Sequence, residues 1–199
     1  MFLHGRIQAQ PPDVCIGEDE GQIALLVDGV VQSIVVPDGP LGAGYWPAML
    51  PEVRPRRALI LGLGGGTIAH LIWRQFGPIP VVGVENNPEV VRLARTAFGL
   101  DRPELEIVEA DAFDFVDGAE GPFDYVAVDL FNAGQIPPRI FSRPFLRGIR
   151  RLMSPGGLAA VNFFKDRRAA THQHRIESGF PRVTFVESGK NLIARCRAR

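Results

Sequence analysis

Hydrophobic positions follow two rhythms along the chain. In the first fifty residues they come in short broken runs, and Val14–Glu18, Gln22–Val27 and Val30–Val36 read as strands. Asp28-Gly29 stands between the last two, and Asp-Gly flanked by apolar runs is a strong two-residue hairpin signal. Proline and glycine break the pattern at Pro37–Gly44, a short helical piece is expected at Tyr45–Leu50, and Pro51–Pro55 reads as a connector. From Arg56 onward, runs that are apolar almost throughout alternate with helical patterns. Strands are expected at Ala58–Leu61, Val81–Glu85, Leu105–Glu109, Tyr125–Asp129 and Leu158–Phe164. Helices are expected at Thr67–Phe76, Pro88–Phe98, Ala112–Val116 and Ser142–Met153, the last ended by Pro155-Gly156-Gly157. Val183–Glu187 and Leu192–Arg197 would close as a hairpin around Ser188-Gly189-Lys190.

Strands without a polar face, each followed by a helix, imply a parallel sheet covered on both sides. The expected fold is α/β: a doubly wound, Rossmann-like parallel sheet with a C-terminal antiparallel hairpin and a small N-terminal β-hairpin subdomain. The division falls at residues 1–52 and 53–199. Between the last parallel strand and that hairpin, Lys165–Ser178 leaves little room for a substrate lid.

Bulk chemistry narrows the function. Lys and Arg number 22 and so do Asp and Glu, so the formal net charge is zero. No global field draws in nucleic acid or an anionic membrane, and neither is expected as a partner. Cys15 and Cys196 lack metal-type spacing and are expected as reduced thiols; His172 and His174 are two apart, the wrong spacing for a helical metal pair. The N-terminus MFLHGRIQAQPP has no signal-peptide core, and no apolar run nears the ~20 residues a bilayer needs. A cytoplasmic protein without a metal site is expected.

The stretch Leu59-Ile-Leu-Gly-Leu-Gly-Gly-Gly-Thr-Ile-Ala-His-Leu71 takes an apolar strand through four glycines into a helix. A phosphate-cradling loop would need a Gly-Lys-[Ser/Thr] ending, and no lysine is present. A dinucleotide wants G-x-G-x-x-G/A; Gly62 and Gly64 match, but Thr67 takes the third place. S-adenosylmethionine has adenine and ribose without pyrophosphate; Gly62, Gly64 and Gly66 would give its methionine part backbone room. An acid for the ribose hydroxyls is also needed. Glu85, closing the second parallel strand, suits that role, although a dinucleotide would use it too and it could simply precede the Pro88 helix. Asp111 and its neighbour Ala112 follow the third strand, where a carboxylate could accept from the adenine amine or cap the next helix. Asp129, ending the fourth, would face the reacting end or cap a loop.

These motifs, together with "VVGVENNPEVVRLAR", "LEIVEADAFDFV", "FDYVAVDLFN" and "LMSPGGLAAVNFF", resemble class I S-adenosylmethionine-dependent methyltransferases, and within them the spermidine synthase branch. Asp28-Gly29-Val30-Val31-Gln32 resembles that branch's D-G-V-x-Q. The resemblance spans roughly residues 20 to 165. It implies that Gln32 and Glu85 contact the cofactor ribose and that Gly62, Gly64 and Gly66 line its amino-acid or aminopropyl end. It also implies that Asp111 and Ala112 hold the adenine, that Asp129 is the acid at the transfer site, and that the protein is a homodimer.

The departures bear on the acceptor. The branch's G-G-G-D-G-G reads Gly62-Leu63-Gly64-Gly65-Gly66-Thr67; its D-[ST]-x-D-P reads Asp129-Leu130-Phe131-Asn132-Ala133; its Y-[HQ]-E reads Tyr45-Trp46-Pro47. Each change removes a carboxylate, and each ammonium of a diamine needs an anionic partner. The expectation is therefore a methyltransferase acting on a small-molecule or protein acceptor, with Tyr45, Phe131 and Asn132 shaping the acceptor pocket. An aminopropyltransferase using decarboxylated S-adenosylmethionine is the first alternative, and a non-catalytic adenosyl-binding protein the second.

Overall fold

The computed structural model describes residues 13–35, 44–132 and 134–198. Strands β1 (Val14–Asp19), β2 (Gln22–Val27) and β3 (Val30–Ile34) form a three-stranded antiparallel sheet in chain order. Asp28 and Gly29 take φ of 51° and 73°, the backbone that a tight hairpin matched to strand twist requires. The expected extension of the third strand to Val36, and most of the proline-glycine break after it, lie outside the described residues.

The main sheet has seven strands in the order β6-β5-β4-β7-β8-β10-β9. Strands β4 (Ala58–Leu61), β5 (Val81–Glu85), β6 (Leu105–Glu109), β7 (Phe123–Val128) and β8 (Met153–Phe164) run parallel. Strands β9 (Arg182–Ser188) and β10 (Asn191–Arg197) form the expected hairpin, with β10 antiparallel to β8.

Alternate side chains of each strand enter opposite cores. On one face Ile60, Tyr125 and Ala127 pack against α1 (Trp46–Met49) and α2 (Thr67–Phe76) through Met49, Ile68 and Ile72. On the other, Leu59, Val126 and Val128 meet α4 (Ala112–Gly118) and α5 (Arg143–Leu152) through Phe113, Phe145 and Ile149. Helix α3 (Pro88–Ala97) carries the small sheet: Leu25 of β2 packs on Val90, Leu93 and Phe98. Asn87 sets the start of α3, its side chain accepting from Glu89 N and Val90 N ahead of Pro88.

Two expectations change. Helix α5 stops at Leu152, and Pro155-Gly156-Gly157 lies inside β8 rather than between a helix and a strand. The register slips there: Phe123 pairs Met153, but Tyr125 pairs Leu158. A bulge of that kind hides the strand's early start from any period-two pattern. Residues 165–178, expected to leave little room, hold a helix, α6 (Ala169–Glu177), against which a 3₁₀ turn (Pro138–Phe141) packs. Only Ala169 and Ile176 of α6 are buried, so its apolar stripe is too thin to show as a period.

Candidate functional site

Strand β4 has β5 on one side and β7 on the other; the connection from β4 leads to β5 and that from β7 to β8, so the two leave in opposite directions at the carboxyl ends. Open α/β sheets bind ligands at such a point. A cleft of about 840 Å³ opens there, lined by the glycine turn after β4, the ends of β5, β6 and β7, and β3 of the small sheet.

At Gly62, φ is 85° and a Cβ would strike the backbone carbonyl oxygen of Asp129, so no side chain fits. Gly62 and Gly64 line the cleft. Gly66 does not: it is buried as the N-cap residue of α2 and packs against Leu100. Its expected contact with the ligand is corrected to a turning role.

The backbone donors of this turn are all engaged within the protein. Gly62 N and Leu63 N donate to Val84 O, each at 3.0 Å. Gly64 N donates to Glu85 Oε2 at 3.1 Å, Gly65 N to Ser33 Oγ at 2.7 Å, and Gly66 N to Leu63 O at 2.9 Å. A phosphate cradle works through free N–H groups at such a turn. Here none is left between Gly62 and Gly66.

Glu85 sits at the exit of β5, partly buried. Its Oε1 accepts from Asn86 N and Asn87 N, both at 3.0 Å, and its Oε2 from Gly64 N. Burial raises its pKa above the ordinary value, and these three donors oppose the shift. A carboxylate offers about four acceptor positions. Three are taken, and one on Oε2 remains for a hydroxyl in the cleft.

Gln32 of β3 lines the facing wall. Its strand is tied to the glycine turn by Ser33 Oγ and by Thr67, whose hydroxyl bonds Ile34 N and Ile34 O at 3.0 Å. The threonine that breaks the dinucleotide pattern therefore fastens the small sheet over the cleft. Asp111 is the N-cap of α4, accepting from Phe113 N at 2.8 Å and Asp114 N at 3.1 Å. Both bonds fall on Oδ1, and Asp111 also lines the cleft together with Ala112, so capping and ligand contact are compatible.

Asp129 follows β7 directly. Asn162 Nδ2 donates to its Oδ1 at 2.7 Å, and the Tyr45 hydroxyl lies 3.0 and 2.9 Å from its two oxygens. Burial pushes Asp129 up to about 6, with Asn162, Tyr45 and Trp46 acting in the opposite direction. Tyr45 is raised well above its ordinary value, first by burial and then by the neighbouring Asp129. Tyr45 does not line the cleft itself; Trp46 does, and Tyr45 reaches the site through Asp129. Phe131 lines the cleft and meets Phe164 edge to face at 5.6 Å, while Asn132 lies exposed at the rim.

Ser33, Trp46, Asn162 and Asn191 were missed from sequence. Asn162 carried a signal: it is the one polar residue in the run Leu-Ala-Ala-Val-Asn-Phe-Phe, and it is 1 % exposed. An amide in an otherwise apolar buried strand must bond to something. Ser33 and Asn191 carried none, because their partners lie on other elements.

The lining has a strong charge bias. Asp28, Glu85, Glu89, Asp111 and Asp129 contribute carboxylates, and among the described residues no Lys, Arg or His lines it. Glu89 is paired with Arg92, leaving the other four to act on a ligand.

The pattern that defines the methyltransferase domain matches residues 58–157. A polyamine aminopropyltransferase of Chromobacterium violaceum is 34% identical over 182 residues, covering 85% of this chain and 69% of the relative. A probable spermidine synthase from Corynebacterium glutamicum has a similar structure, with TM-score 0.79 and 21% identity over 99% of this chain and 81% of that one. Human methyltransferase-like protein 13, solved in complex with SAH, aligns with TM-score 0.66 and 21% identity over 77% and 76%. With the glycine turn, the strand-end carboxylates and the seven-stranded sheet in place, the chain belongs to the S-adenosylmethionine-dependent methyltransferase superfamily, in its spermidine synthase-like branch of transferases.

Proposed function

We propose that this protein transfers an aminopropyl group from decarboxylated S-adenosylmethionine to an amine. The observation that carries the proposal is the cleft's electrostatics: several carboxylates, no cationic side chain among its described lining, and a glycine turn whose N–H groups are spent. A ligand bearing phosphate or carboxylate would be desolvated there without a cationic partner among the described lining and beside several carboxylates, at a cost of several kcal/mol. A sulfonium that also carries an ammonium, and no carboxylate, meets favourable charge. The aminopropyltransferase name of the Chromobacterium relative supports the same choice.

A sulfonium, when bound, supplies an alkyl carbon already activated for displacement by an amine, with the sulfur leaving as a neutral thioether. The chain's own part is alignment and proton handling. Glu85, with Gln32 opposite, would hold the ribose; Asp111 and Ala112 would flank the adenine. Asp129 would orient the acceptor amine and take the proton that the amine loses. A carboxylate raised to about 6 is a better proton acceptor than an ordinary one, yet stays ionised at neutral pH.

The expectation of methyl transfer keeps two observations in its favour. Asn132 stands at the rim where a second acid would hold the far end of a diamine, and at Gly65 a Cβ would meet Ser33 Cβ at 2.9 Å and Phe98 at 3.0 Å, so no acid fits there. One assay separates the two. Purified protein is given carboxylated or decarboxylated donor with a panel of mono- and diamines, and products are read by mass. Aminopropylated amine from the decarboxylated donor alone is the expected result; methylated product from the carboxylated donor would replace the proposal.

A further inference from the structure

Behind Asp129 lies a side-chain relay that leaves the cleft. Asn162 on β8 is 1 % exposed and Asn191 on β10 is 7 % exposed. Asn191 Nδ2 donates to Asn162 Oδ1 at 2.8 Å, and Asn162 Nδ2 donates to Asp129 Oδ1 at 2.7 Å. An isolated amide can turn over and present either end. The Asp129 carboxylate, which only accepts, draws the Asn162 NH₂ toward it, and Asn191 supports that orientation by donating to Asn162 Oδ1. Asp129 Oδ1 is then shared between Asn162 and Tyr45, whereas Oδ2 has Tyr45 at 2.9 Å and no amide donor, with the Trp46 side chain also bonding the carboxylate.

We infer that Asn191 and Asn162 are positioning residues that act in series, holding Asp129 so that Oδ2 is the oxygen that accepts the acceptor's proton. This rests on the transfer reaction proposed above, but the geometry of the relay does not. The groups around Asp129 are few. Tyr45 and Trp46 come from α1 and its cap, and Asn162 from β8. Tyr125 of β7 lies behind it, donating to Met49 O, and Arg195 of β10 is bound to Glu52 and to the carbonyls of Ala48 and Leu50. Glu85 and Asp111 are the other acids on the same cleft wall and strand ends. Of these, Trp46 and Tyr45 also donate to Asp129, and Asn162 is the one amide among them.

Asn191→Asp is the diagnostic substitution. At neutral pH a carboxylate at 191 can only accept, so the Asn162 amide turns over and aims its carbonyl oxygen at Asp129. Asn162→Leu removes the donor outright, and the double variant Asn162→Leu/Asn191→Leu removes both partners without leaving a buried amide unpaired, which guards against a folding failure. Two measurements are made on each. The Asp129 side-chain carbon is titrated by NMR, assigned with Asp129→Asn, and steady-state kinetics give kcat and donor KM across pH.

The expected result is that Asp129 holds its proton about tenfold more tightly in all three variants, as befits loss of one charge-assisted hydrogen bond. At neutral pH kcat falls about twofold and on the acid limb about tenfold, as that limb moves to higher pH by the same factor, and donor KM is unchanged. An unmoved Asp129 titration in Asn191→Asp would overturn the relay, even with Asn162→Leu shifted. A wild-type protein that transfers no aminopropyl group refutes the proposed reaction, while the titration still judges the relay.

Discussion

The two ends of the cleft are built on different plans. The donor end is made of backbone and strand termini: Gly62 and Gly64 from one turn, Glu85 from the next strand, and three N–H groups locking that carboxylate. The transfer end hangs on side chains from distant elements. Asp129 meets Tyr45, 84 residues earlier, and Asn162, 33 residues later, and Asn162 meets Asn191 beyond it. A site made of main chain varies little in what it can hold. A site made of side chains can change its acceptor by a few substitutions, which fits the missing acids at Gly65 and Asn132.

Four perturbations break or sharpen this contrast. The largest concerns Asp129→Asn, which keeps size but loses the base. Turnover should drop by ~10²–10⁴-fold with donor KM intact, measured as kcat and KM on purified protein. A comparable loss of donor affinity would show that the two ends are not separable.

At the donor end, Gly62→Ala forces a methyl onto the Asp129 carbonyl in a left-handed backbone. A stability loss of ~2–4 kcal/mol is expected in urea unfolding, the sum of backbone strain and overpacking. Glu85→Gln is milder for the fold but removes the charge at the ribose, and calorimetry should find donor binding ~10–100-fold weaker. If kcat fell instead with binding unchanged, Glu85 would belong to the transfer end.

The smallest effect is on stability against pH. Asp129 is raised from 3.8 to about 6 in the folded protein. A raised acid favours folding below its unfolded value and loses that contribution as pH climbs through the folded one. Ionised Asp129 therefore costs roughly 1–3 kcal/mol of stability above pH 6, after allowance for partial exposure. Asp129→Asn should raise Tm at pH 8 and leave it unchanged near pH 3.5. The wild-type kcat should fall as pH drops below about 6.

The same contrast governs what could be read from sequence. Glu85 and Gly62 are legible because the pattern that makes a strand also fixes where it ends, and the ligand sits at strand ends. Asp111 is legible in position, with its cap role and cleft contact left open as two choices that the structure makes compatible. Gly66 looks like its neighbours in sequence but faces Leu100 rather than the cleft, because one residue of turn geometry separates lining from packing. Asn162 and Asn191 depend on β10 returning beside β8, and no local pattern records which amide a returning strand brings to an acid. The bulge in β8 and the thinly buried α6 were hidden for a related reason: both owe their form to packing partners rather than to period.

The central claim is that this cleft is made for a cation without a carboxylate. Calorimetric titration of the purified protein with decarboxylated and intact S-adenosylmethionine tests it directly. Tighter binding of the decarboxylated compound, by about tenfold or more as one unpaired carboxylate demands, is the expected result. Equal or tighter binding of the intact compound, or uptake of NAD or ATP in its place, would contradict the account.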